Sequence, residues 1–435
     1  MIALAIAAAA AGAAVVVNPP VLPGSPPPVL CGADAAQITA LDGMAQYAQW
    51  LRRNDVAGYV GEVGWPGTGP DADRWQDLAE VWYSAADAAG LPVTAWAAAR
   101  WPSTYAMGVY TAEAGTTSLG ARGPQASVVE AHPTDDRLLR GVVVAGGSFG
   151  RTSSSGGDPG RYGYDYSYEN ASGYAYLARR GVRLVRLALV WERLQPVPGG
   201  PLDETELLRV RRAVGQAQRA GLVVILDLHG YGQFLTTGKH REPRRLTLGT
   251  RQLPAARLAD LWSRLATATL DLPGILGYDL LNEPLRLAKR GDAGARLWED
   301  VSQQAVDAIR ASGSPLPVFV AGYGQTAPGR WDEVHPRAWI SDPVGRTVYE
   351  THVYFDSDNS GHYDAGYAAQ EAADRAQVAR SHTPRCRTLP DLTTRQEAAI
   401  GSPRALVSPA DGSLLGSVLL GSVLAPVGRL VKGGS

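Results

Sequence analysis

Short apolar runs alternate with amphipathic segments along most of the chain, and this alternation predicts strands followed by helices. Residues 222–228 (LVVILDL) form a continuous apolar run of strand length, which is typical of a strand buried on both faces of a parallel sheet. Residues 294–312 instead carry Leu297, Val301 and Ala305 at helical spacing, so they predict a helix that buries one face.

The same criteria predict eight strands: 58–62, 91–96, 138–145, 182–189, 222–228, 274–283, 317–321 and 347–354. The helices predicted around them are 36–54, 71–90, 125–132, 167–180, 203–221, 254–269 and 294–312. Eight strands that mostly alternate with helices predict an α/β fold in which a parallel sheet closes into a (β/α)8 TIM barrel.

We expect the barrel domain to occupy residues 36–381. Residues 1–35 combine an apolar, signal-like segment, which lacks the usual Lys/Arg start, with a Pro-rich linker. The alternative to a cleaved signal peptide is an N-terminal segment that stays on the protein. Residues 382–435 predict a low-complexity, mobile tail, and membrane association of the apolar stretch 413–431 is the sharper alternative.

The composition narrows the possible functions. A formal net charge of −1 over 435 residues gives no basic field that would attract nucleic acid. Eleven Trp and 18 Tyr against 4 Phe favour stacking on sugars, because both side chains combine a flat apolar face with a polar group, although core packing explains them too. The two cysteines, Cys31 and Cys386, are too few for a disulfide framework or a Cys-based zinc site.

Polar and aromatic residues mark the carboxyl ends of the predicted strands. They are Glu62, Trp96, Arg186, His229, Asn282, Glu283, His352 and Tyr354. Because the carboxyl ends of barrel strands meet at one rim, where barrel active sites lie, we expect these side chains to converge. Any one of them alone has a simpler structural interpretation, such as a helix cap at Glu283 or a satisfied strand-end histidine at His352.

Two glutamates among aromatic residues, histidine and arginine, without metal-ligand spacing, suit glycoside hydrolysis. That reaction needs one carboxyl as acid/base and another as nucleophile or water activator. Asn282 is placed to hydrogen-bond a sugar hydroxyl beside the reacting carbon. Trp96, Trp191 and Tyr231 are candidate platforms for sugar rings, and packing at the rim is the alternative for Trp191 and Tyr231.

Six stretches resemble glycoside hydrolase family 5, the cellulase-type family of clan A, over roughly residues 36–381. They are RGVVVAGGSFG, GVRLVRLALVWERLQP, GLVVILDLHGYG, ILGYDLLNEP, YETHVYFDSDNSG and YVGEVGWP. By this resemblance Glu283 is the acid/base and Glu62 the nucleophile of a retaining mechanism. The positions that match the remaining active-site residues of the family are Arg186, His229, Asn282, His352, Tyr354 and Trp96.

The resemblance implies a hydrolase of β-glycosidic bonds in a polysaccharide, with an endo-β-1,4-glucanase as the first choice. A β-mannanase and a hydrolase of a bacterial exopolysaccharide are the other readings. We expect a secreted monomer that acts without a cofactor, a metal, nucleic acid or an obligatory protein partner.

The order of the matching strands departs from the family, in which the nucleophile strand is seventh and follows the acid/base strand. Here Glu62 precedes Glu283, so the chain resembles a circular permutant with strand order 7-8-1-2-3-4-5-6. A closed barrel tolerates this rearrangement because it has no sheet edges and its ends lie close together. The new chain ends fall in the sixth βα connection. In a secreted protein, a Cys31–Cys386 disulfide would link the two sides of this opening.

Parts of the sequence also fit two other classes of protein, a serine hydrolase and a carbohydrate-binding barrel. Gly146, Ser148 and Gly150 fit the G-x-S-x-G motif of serine hydrolases, but that motif needs a helix directly after the serine and RTSSSGGDPGRYG follows instead. A non-catalytic carbohydrate-binding barrel would result if permutation had destroyed the spacing of about 5 Å that two carboxyls need for retention. Both glutamates are kept, which favours an enzyme.

Overall fold

The computed structural model describes residues 33–100, 104–135, 138–150, 160–236, 244–325, 327–381 and 392–401. The signal-like segment, most of the predicted tail, Cys31 and Cys386 lie outside these ranges. The expectations about cleavage, the disulfide bridge and membrane association therefore stay predictions. In the part of the chain that the structure describes, no helix has the length and apolarity that crossing a bilayer requires.

Eight parallel strands form a closed barrel. They are β1 (Ala57–Gly64), β2 (Val93–Ala98), β3 (Arg140–Val144), β4 (Leu184–Leu189), β5 (Val223–Leu228), β6 (Ile275–Asp279), β7 (Val318–Ala321) and β8 (Thr347–Tyr354). Each strand pairs in parallel with the next along the chain, and β8 pairs with β1 to close the ring. The predicted (β/α)8 barrel is confirmed, and every predicted strand overlaps an observed one.

Helices alternate with the strands and cover the outside of the barrel. Their bounds are α1 (Ala35–Asn54), α2 (Ala72–Ala89), α3 (Ala126–Ala131), α4 (Ala171–Arg179), α5 (Trp191–Leu194), α6 (Glu204–Arg219), α7 (Ala255–Thr269), α8 (Gly291–Ala311), α9 (Trp331–Val334), α10 (Tyr367–Ser381) and α11 (Thr393–Ile400). In α8 the buried face includes Trp298, Val301, Ala305 and Ile309. One apolar face per helix thus meets the sheet, as the helical spacing predicts.

Tryptophan side chains fill much of the layer between the barrel and its helices. Trp50, Trp262 and Trp298 are fully buried, and their indole nitrogens find backbone partners. Trp262 donates to the carbonyl of Leu280 at 3.0 Å and Trp298 to the carbonyl of Ala321 at 2.6 Å. These bonds connect α7 and α8 to the carboxyl ends of β6 and β7. Many of the tryptophans therefore pack in the core and hold the strand ends in place.

Two hairpins stand in the loops that follow β2 and β5. Tyr110–Ala112 pairs antiparallel with Leu119–Arg122, and Gln233–Leu235 pairs antiparallel with Arg245–Thr247. The sequence analysis did not predict them, because strands of three or four residues are too short to show a periodicity. Both belong to the βα loops, on the face of a barrel that carries active sites.

Residues 392–401, which the sequence analysis assigned to a mobile tail, pack against the amino end of the barrel. Ala399 and Ile400 are buried in one cluster with residues at or near the amino ends of the strands. These residues include Ala57, Leu139, Leu184, Ile225, Leu276, Phe319 and Val348. Arg346 donates from Nε to the carbonyl of Ala399 at 2.9 Å and from NH2 to that of Ile400 at 3.0 Å. This segment is therefore the floor of the barrel, and only its tertiary contacts reveal that role.

We expect Ile400→Ala to lower the free energy of unfolding by about 2–5 kcal/mol, because the substitution leaves a cavity beneath the barrel. Leu208→Ala is the matched control, since Leu208 is 66% exposed on α6 and its truncation should cost less than about 0.5 kcal/mol. Urea unfolding of the two variants gives both values. An equal, small effect of the two substitutions would show that α11 adds nothing to the floor.

Candidate active site

Nine of the ten predicted site residues lie together on the barrel strands and the loops that follow them. They are Glu62, Trp96, Arg186, His229, Tyr231, Asn282, Glu283, His352 and Tyr354. A carboxylate oxygen of Glu62, one of Glu283 and a ring nitrogen of His352 all lie within 4.8 Å of one another. Folding thus brings together side chains from strands far apart in the chain.

Glu62 lies in β1 and is held by two donors. Arg186 NH1 donates to its Oε1 at 2.9 Å, and the hydroxyl of Tyr354 donates to its Oε2 at 2.7 Å. Burial, together with the charges of Glu62 and Glu283, raises the pKa of Tyr354 well above its usual range, so this hydroxyl keeps its proton. The Glu62 carboxylate is only 4% exposed, and both of its oxygens are fixed in direction.

Glu283 has a different environment. Glu283 follows β6 and has a backbone φ of 42°. This value lies in the left-handed region, which residues other than glycine rarely adopt. Its Oε1 accepts from His352 Nδ1 at 3.0 Å, and its side chain is 14% exposed. Glu283 is therefore the more exposed carboxyl, with one side-chain hydrogen-bond partner among the described residues, whereas Glu62 is more deeply buried and has two.

Arg186 is the fully buried centre of the site. Its Nε donates to Asp279 Oδ2 at 2.7 Å, NH1 donates to Glu62, and NH2 donates to Asn282 Oδ1 at 3.0 Å. The Nδ2 of Asn282, by contrast, is buried without a hydrogen-bond partner among the described residues. Arg186 thus orients both Glu62 and the amide next to Glu283, and it leaves one amide donor available.

His352 is bonded to a carboxylate on each side. Its Nδ1 contacts Glu283, and its Nε2 lies 3.0 Å from Oε1 of Glu350. Burial by itself lowers the pKa of His352, but the charge of Glu62 and the hydrogen bonds to Glu283 and Glu350 outweigh burial and raise the pKa to about 10. At neutral pH the ring is therefore an imidazolium that donates from both nitrogens.

Asp279 and Glu350 form a buried layer beneath this pair. Burial raises the pKa of Asp279 well above its usual range despite the attraction of Arg186. At Glu350 the charge of Arg186 and the bond from His352 outweigh burial and lower the pKa. Asp279 Oδ1 and Glu350 Oε2 have no hydrogen-bond donor among the described residues.

The sequence analysis missed a layer of buried carboxyls next to Glu62 and Glu283. It consists of Asp227, Asp279 and Glu350, all fully buried. A signal was present, because side chains two residues apart in a strand share a face, and Asp227 precedes His229 as Glu350 precedes His352 by two positions. Asp227 Oδ2 indeed lies 2.8 Å from His229 Nδ1 and fixes that ring.

A cleft of about 300 Å³ includes three of the predicted site residues, Trp96, His229 and Tyr231, in its lining. Its lining residues are Trp96, Ser148, Phe149, His229, Tyr231, Gln233, Arg245 and Arg286. The rings of Trp96 and His229 stack with centroids 5.6 Å apart, and the Tyr231 hydroxyl lies 3.3 Å from His229 Nε2. The peptide bond between Trp96 and Ala97 is cis.

The expectation that Trp191 is a sugar platform is wrong. Its side chain is 2% exposed and packs edge-on against Phe234, while its indole nitrogen donates to Gln195 Oε1 at 3.1 Å. Neither face of the Trp191 ring is open to a sugar, so this residue instead packs at the rim, as the alternative interpretation predicts. Ser148 lies in a 3-10 turn, Ala145–Ser148, and donates to the carbonyl of Ala145 at 2.8 Å, which is not the strand–serine–helix arrangement of a serine hydrolase.

The fold and the site together define the class of this protein as a (β/α)8 barrel with two carboxylates facing one another at the carboxyl ends of its strands. The family model for cellulase, glycosyl hydrolase family 5, matches residues 146–388, more than half of the chain. The chain belongs to glycosyl hydrolase family 5. Glu62 and Trp96 lie outside the matched range.

Several named proteins are similar to this chain. Endo-beta-1,4-glucanase B of Emericella nidulans is 27% identical over 241 residues, which cover 55% of this chain and 66% of that protein. Endoglucanase gh5-1 of Neurospora crassa is 27% identical over 224 residues, which cover 51% of each chain. A crystal structure of Pseudomonas stutzeri endoglucanase Cel5A in complex with cellobiose is 32% identical, with a TM-score of 0.45 and coverage of 53% of this chain and 65% of that one. The chain thus spans between half and two thirds of the length of these relatives.

The raised pKa of His352 gives a test of the site. Because the folded pKa of about 10 exceeds an unfolded value of about 6.5, the stabilisation is complete below about pH 6.5 and is lost as the pH rises through about 10. We expect the difference in free energy of unfolding between wild type and His352→Gln to be constant at acidic pH and to shrink from about pH 7 to 10. Urea unfolding across this range measures it. A difference that stays constant or grows with pH would contradict the imidazolium assignment.

Proposed function

We propose that this protein is a retaining glycoside hydrolase that cleaves β-1,4-glucan. The observation that carries the proposal is the Glu62–Glu283 pair, whose nearest oxygens lie within 4.8 Å across one cleft. Retaining glycosidases place their carboxyls about 5–5.5 Å apart, whereas inverting enzymes need about 6.5–9.5 Å to admit a water molecule. The short separation therefore supports a covalent, two-step route.

In the first step Glu283, the more exposed carboxyl, gives its proton to the glycosidic oxygen while Glu62 attacks the anomeric carbon. The bond to the leaving sugar breaks, and a glycosyl ester forms on Glu62. In the second step Glu283 removes a proton from water, which attacks the same carbon and releases Glu62. Arg186 and Tyr354 hold the attacking carboxylate in direction, and the unpartnered Nδ2 of Asn282 supports a hydrogen bond to the sugar hydroxyl beside the reacting carbon.

The names of the relatives support β-1,4-glucan as the substrate. A cleft lined by Trp96, His229 and Tyr231 gives flat surfaces on which sugar rings stack. Mannan and bacterial exopolysaccharides are the substrates to compare with glucan. We further propose that the protein acts outside the cell as a monomer, which the signal-like segment 1–17 and the size of a polysaccharide support.

We also propose that the chain is a circular permutant of the family. The strand of Glu62 comes first along this chain, and the family model matches a range that starts only at residue 146. The strands β1 and β2 nevertheless sit between β8 and β3 in the ring, where their pairing completes the barrel. In a closed ring of parallel strands, the position of a side chain depends on its strand neighbours and not on where the chain begins.

The direct test of the activity is hydrolysis of cello-oligosaccharides followed by proton NMR of the new reducing end. We expect the β-anomer to appear first, because two inversions at the same carbon retain configuration. Parallel assays on manno-oligosaccharides rank the two sugars. First appearance of the α-anomer would contradict retention, and tight binding without cleavage of any oligosaccharide would favour a carbohydrate-binding barrel.

The roles of the carboxyls are separated by two substitutions. Glu62→Gln should lower kcat by orders of magnitude on every substrate, because the nucleophile is lost. Glu283→Gln should do so on cello-oligosaccharides but much less for the first step on an aryl cellobioside whose leaving group needs no proton. Glu333→Gln makes the same chemical change at a carboxyl that is 71% exposed and should have no effect. Near-normal activity of either site variant on cello-oligosaccharides would refute its role.

The permutation is tested by changing the order of the strands. A gene that joins the present termini and opens the chain between His132 and Pro133 would place the strand of Glu283 before that of Glu62. We expect this rearranged protein to fold and to keep the activity of the original, because the strand pairs and site contacts are unchanged. Circular dichroism and kcat/KM measure the outcome. A folded but inactive product would show that the site depends on the present order.

A further inference from the structure

Two adjoining loops carry several positive charges, and two of these, Arg245 and Arg286, line the cleft. The loops after β5 and β6 carry six exposed cationic side chains, which we call the basic rim: Arg244, Arg245, Arg251, Arg286, Lys289 and Arg290. The net charge of the whole chain is −1, so this concentration is local. No ion pair joins any member of the basic rim to an acidic group within the described ranges.

Some arginines elsewhere on the surface are neutralised by ion pairs, whereas Arg212 and Arg219 have none among the described residues. Arg122 lies 2.8 Å from Glu130, and Arg211 lies 2.6 Å from Asp271. Like charges gathered without counter-charges repel one another, and this cost falls when an anion binds among them. What distinguishes the basic rim from other exposed arginines is that two of its members, Arg245 and Arg286, line the cleft.

The basic rim is built on ordered backbone. Arg245 belongs to the hairpin after β5, where it pairs with Leu235. The backbone N–H of Arg286 donates to the carbonyl of Tyr231 at 2.9 Å, and that of Ala288 donates to the carbonyl of Leu248 at 3.0 Å. These bonds join the two loops, so their cationic side chains project from a fixed frame.

Two members of the basic rim enter the sugar cleft itself. Arg245 and Arg286 line the same cavity as Trp96, His229 and Tyr231, and the cavity lining contains no Asp or Glu. The Arg286 guanidinium lies 5.8 Å from the centroid of the Tyr231 ring. An aromatic face beside two guanidinium groups suits a sugar ring that carries a carboxylate, because guanidinium groups bind carboxylates through paired hydrogen bonds.

We propose that the physiological substrate is an acidic β-glycan, in which a uronate or another carboxylate-bearing sugar occupies the cleft beside Arg245 and Arg286. This inference rests on the proposed glycosidase function and names the class of polysaccharide for it. Nucleic acid is a poorer fit to the same charges, because the two arginines share their cavity with Trp96 and His229 of the catalytic centre.

The test uses the full-length protein and two substrates of equal length, cellohexaose and cellohexaose oxidised at C6 to glucuronate residues. We expect kcat/KM to be about tenfold higher on the oxidised substrate at low ionic strength. The preference should fall towards unity at about 1 M salt, where the Debye length is only about 3 Å. Equal kcat/KM values on the two substrates at low salt would overturn the proposal.

The arginines responsible are identified with matched variants. Arg245→Gln with Arg286→Gln should remove the preference for the oxidised substrate. Arg212→Gln with Arg219→Gln removes the same net charge from the exposed face of α6, and it should leave the preference unchanged. Equal losses in both double variants would mean that net charge, and not the basic rim, sets the preference.

A binding measurement separates this proposal from the proposed activity. Calorimetry with the Glu283→Gln protein measures the affinity for each hexasaccharide without turnover. We expect the affinity for the oxidised substrate to fall about tenfold when Arg245 and Arg286 are also replaced. If neither sugar is cleaved by the wild type but this loss is seen, the anionic site stands and the hydrolase proposal fails. If cellohexaose is cleaved and this loss is missing, the anionic site alone is refuted.

Discussion

The site depends on one buried cation. Arg186 is fully buried in β4, and a buried charge is tolerated only when it is paired and hydrogen-bonded. Its carboxylate partners come from four other strands: Glu62 on β1, Asp227 on β5, Asp279 on β6 and Glu350 on β8. The need to neutralise one guanidinium therefore draws the inward faces of these strands together, and the same contacts aim Glu62 at the cleft.

The two carboxyls that we propose as catalytic are distinguished by what surrounds them. Glu62 is held by Arg186 and Tyr354, whereas Glu283 is hydrogen-bonded to the imidazolium of His352 and is the more exposed of the two. His352 is in turn held by Glu350. This chain of contacts means that the orientation of the acid/base depends on a buried carboxyl that never touches the sugar.

The outer layer supports the same centre. Trp262 and Trp298 fasten two helices to the carbonyls at the ends of β6 and β7, which are the strands next to the loop that carries Glu283. Loops that bind substrate need a rigid scaffold beneath them, and here buried indoles supply part of it.

The amino-acid sequence by itself determined the barrel and the approximate place of its site, because strand periodicity is local and the carboxyl ends of parallel strands share one rim. It placed Glu62, Glu283 and Arg186 at strand ends that folding brings together. Only the tertiary structure decided that Trp191 is buried, that Asp279 and Glu350 lie beneath the pair, and that residues 392–401 form the floor. Each of these depends on contacts between segments distant in the chain, and such contacts leave no periodic pattern in the sequence.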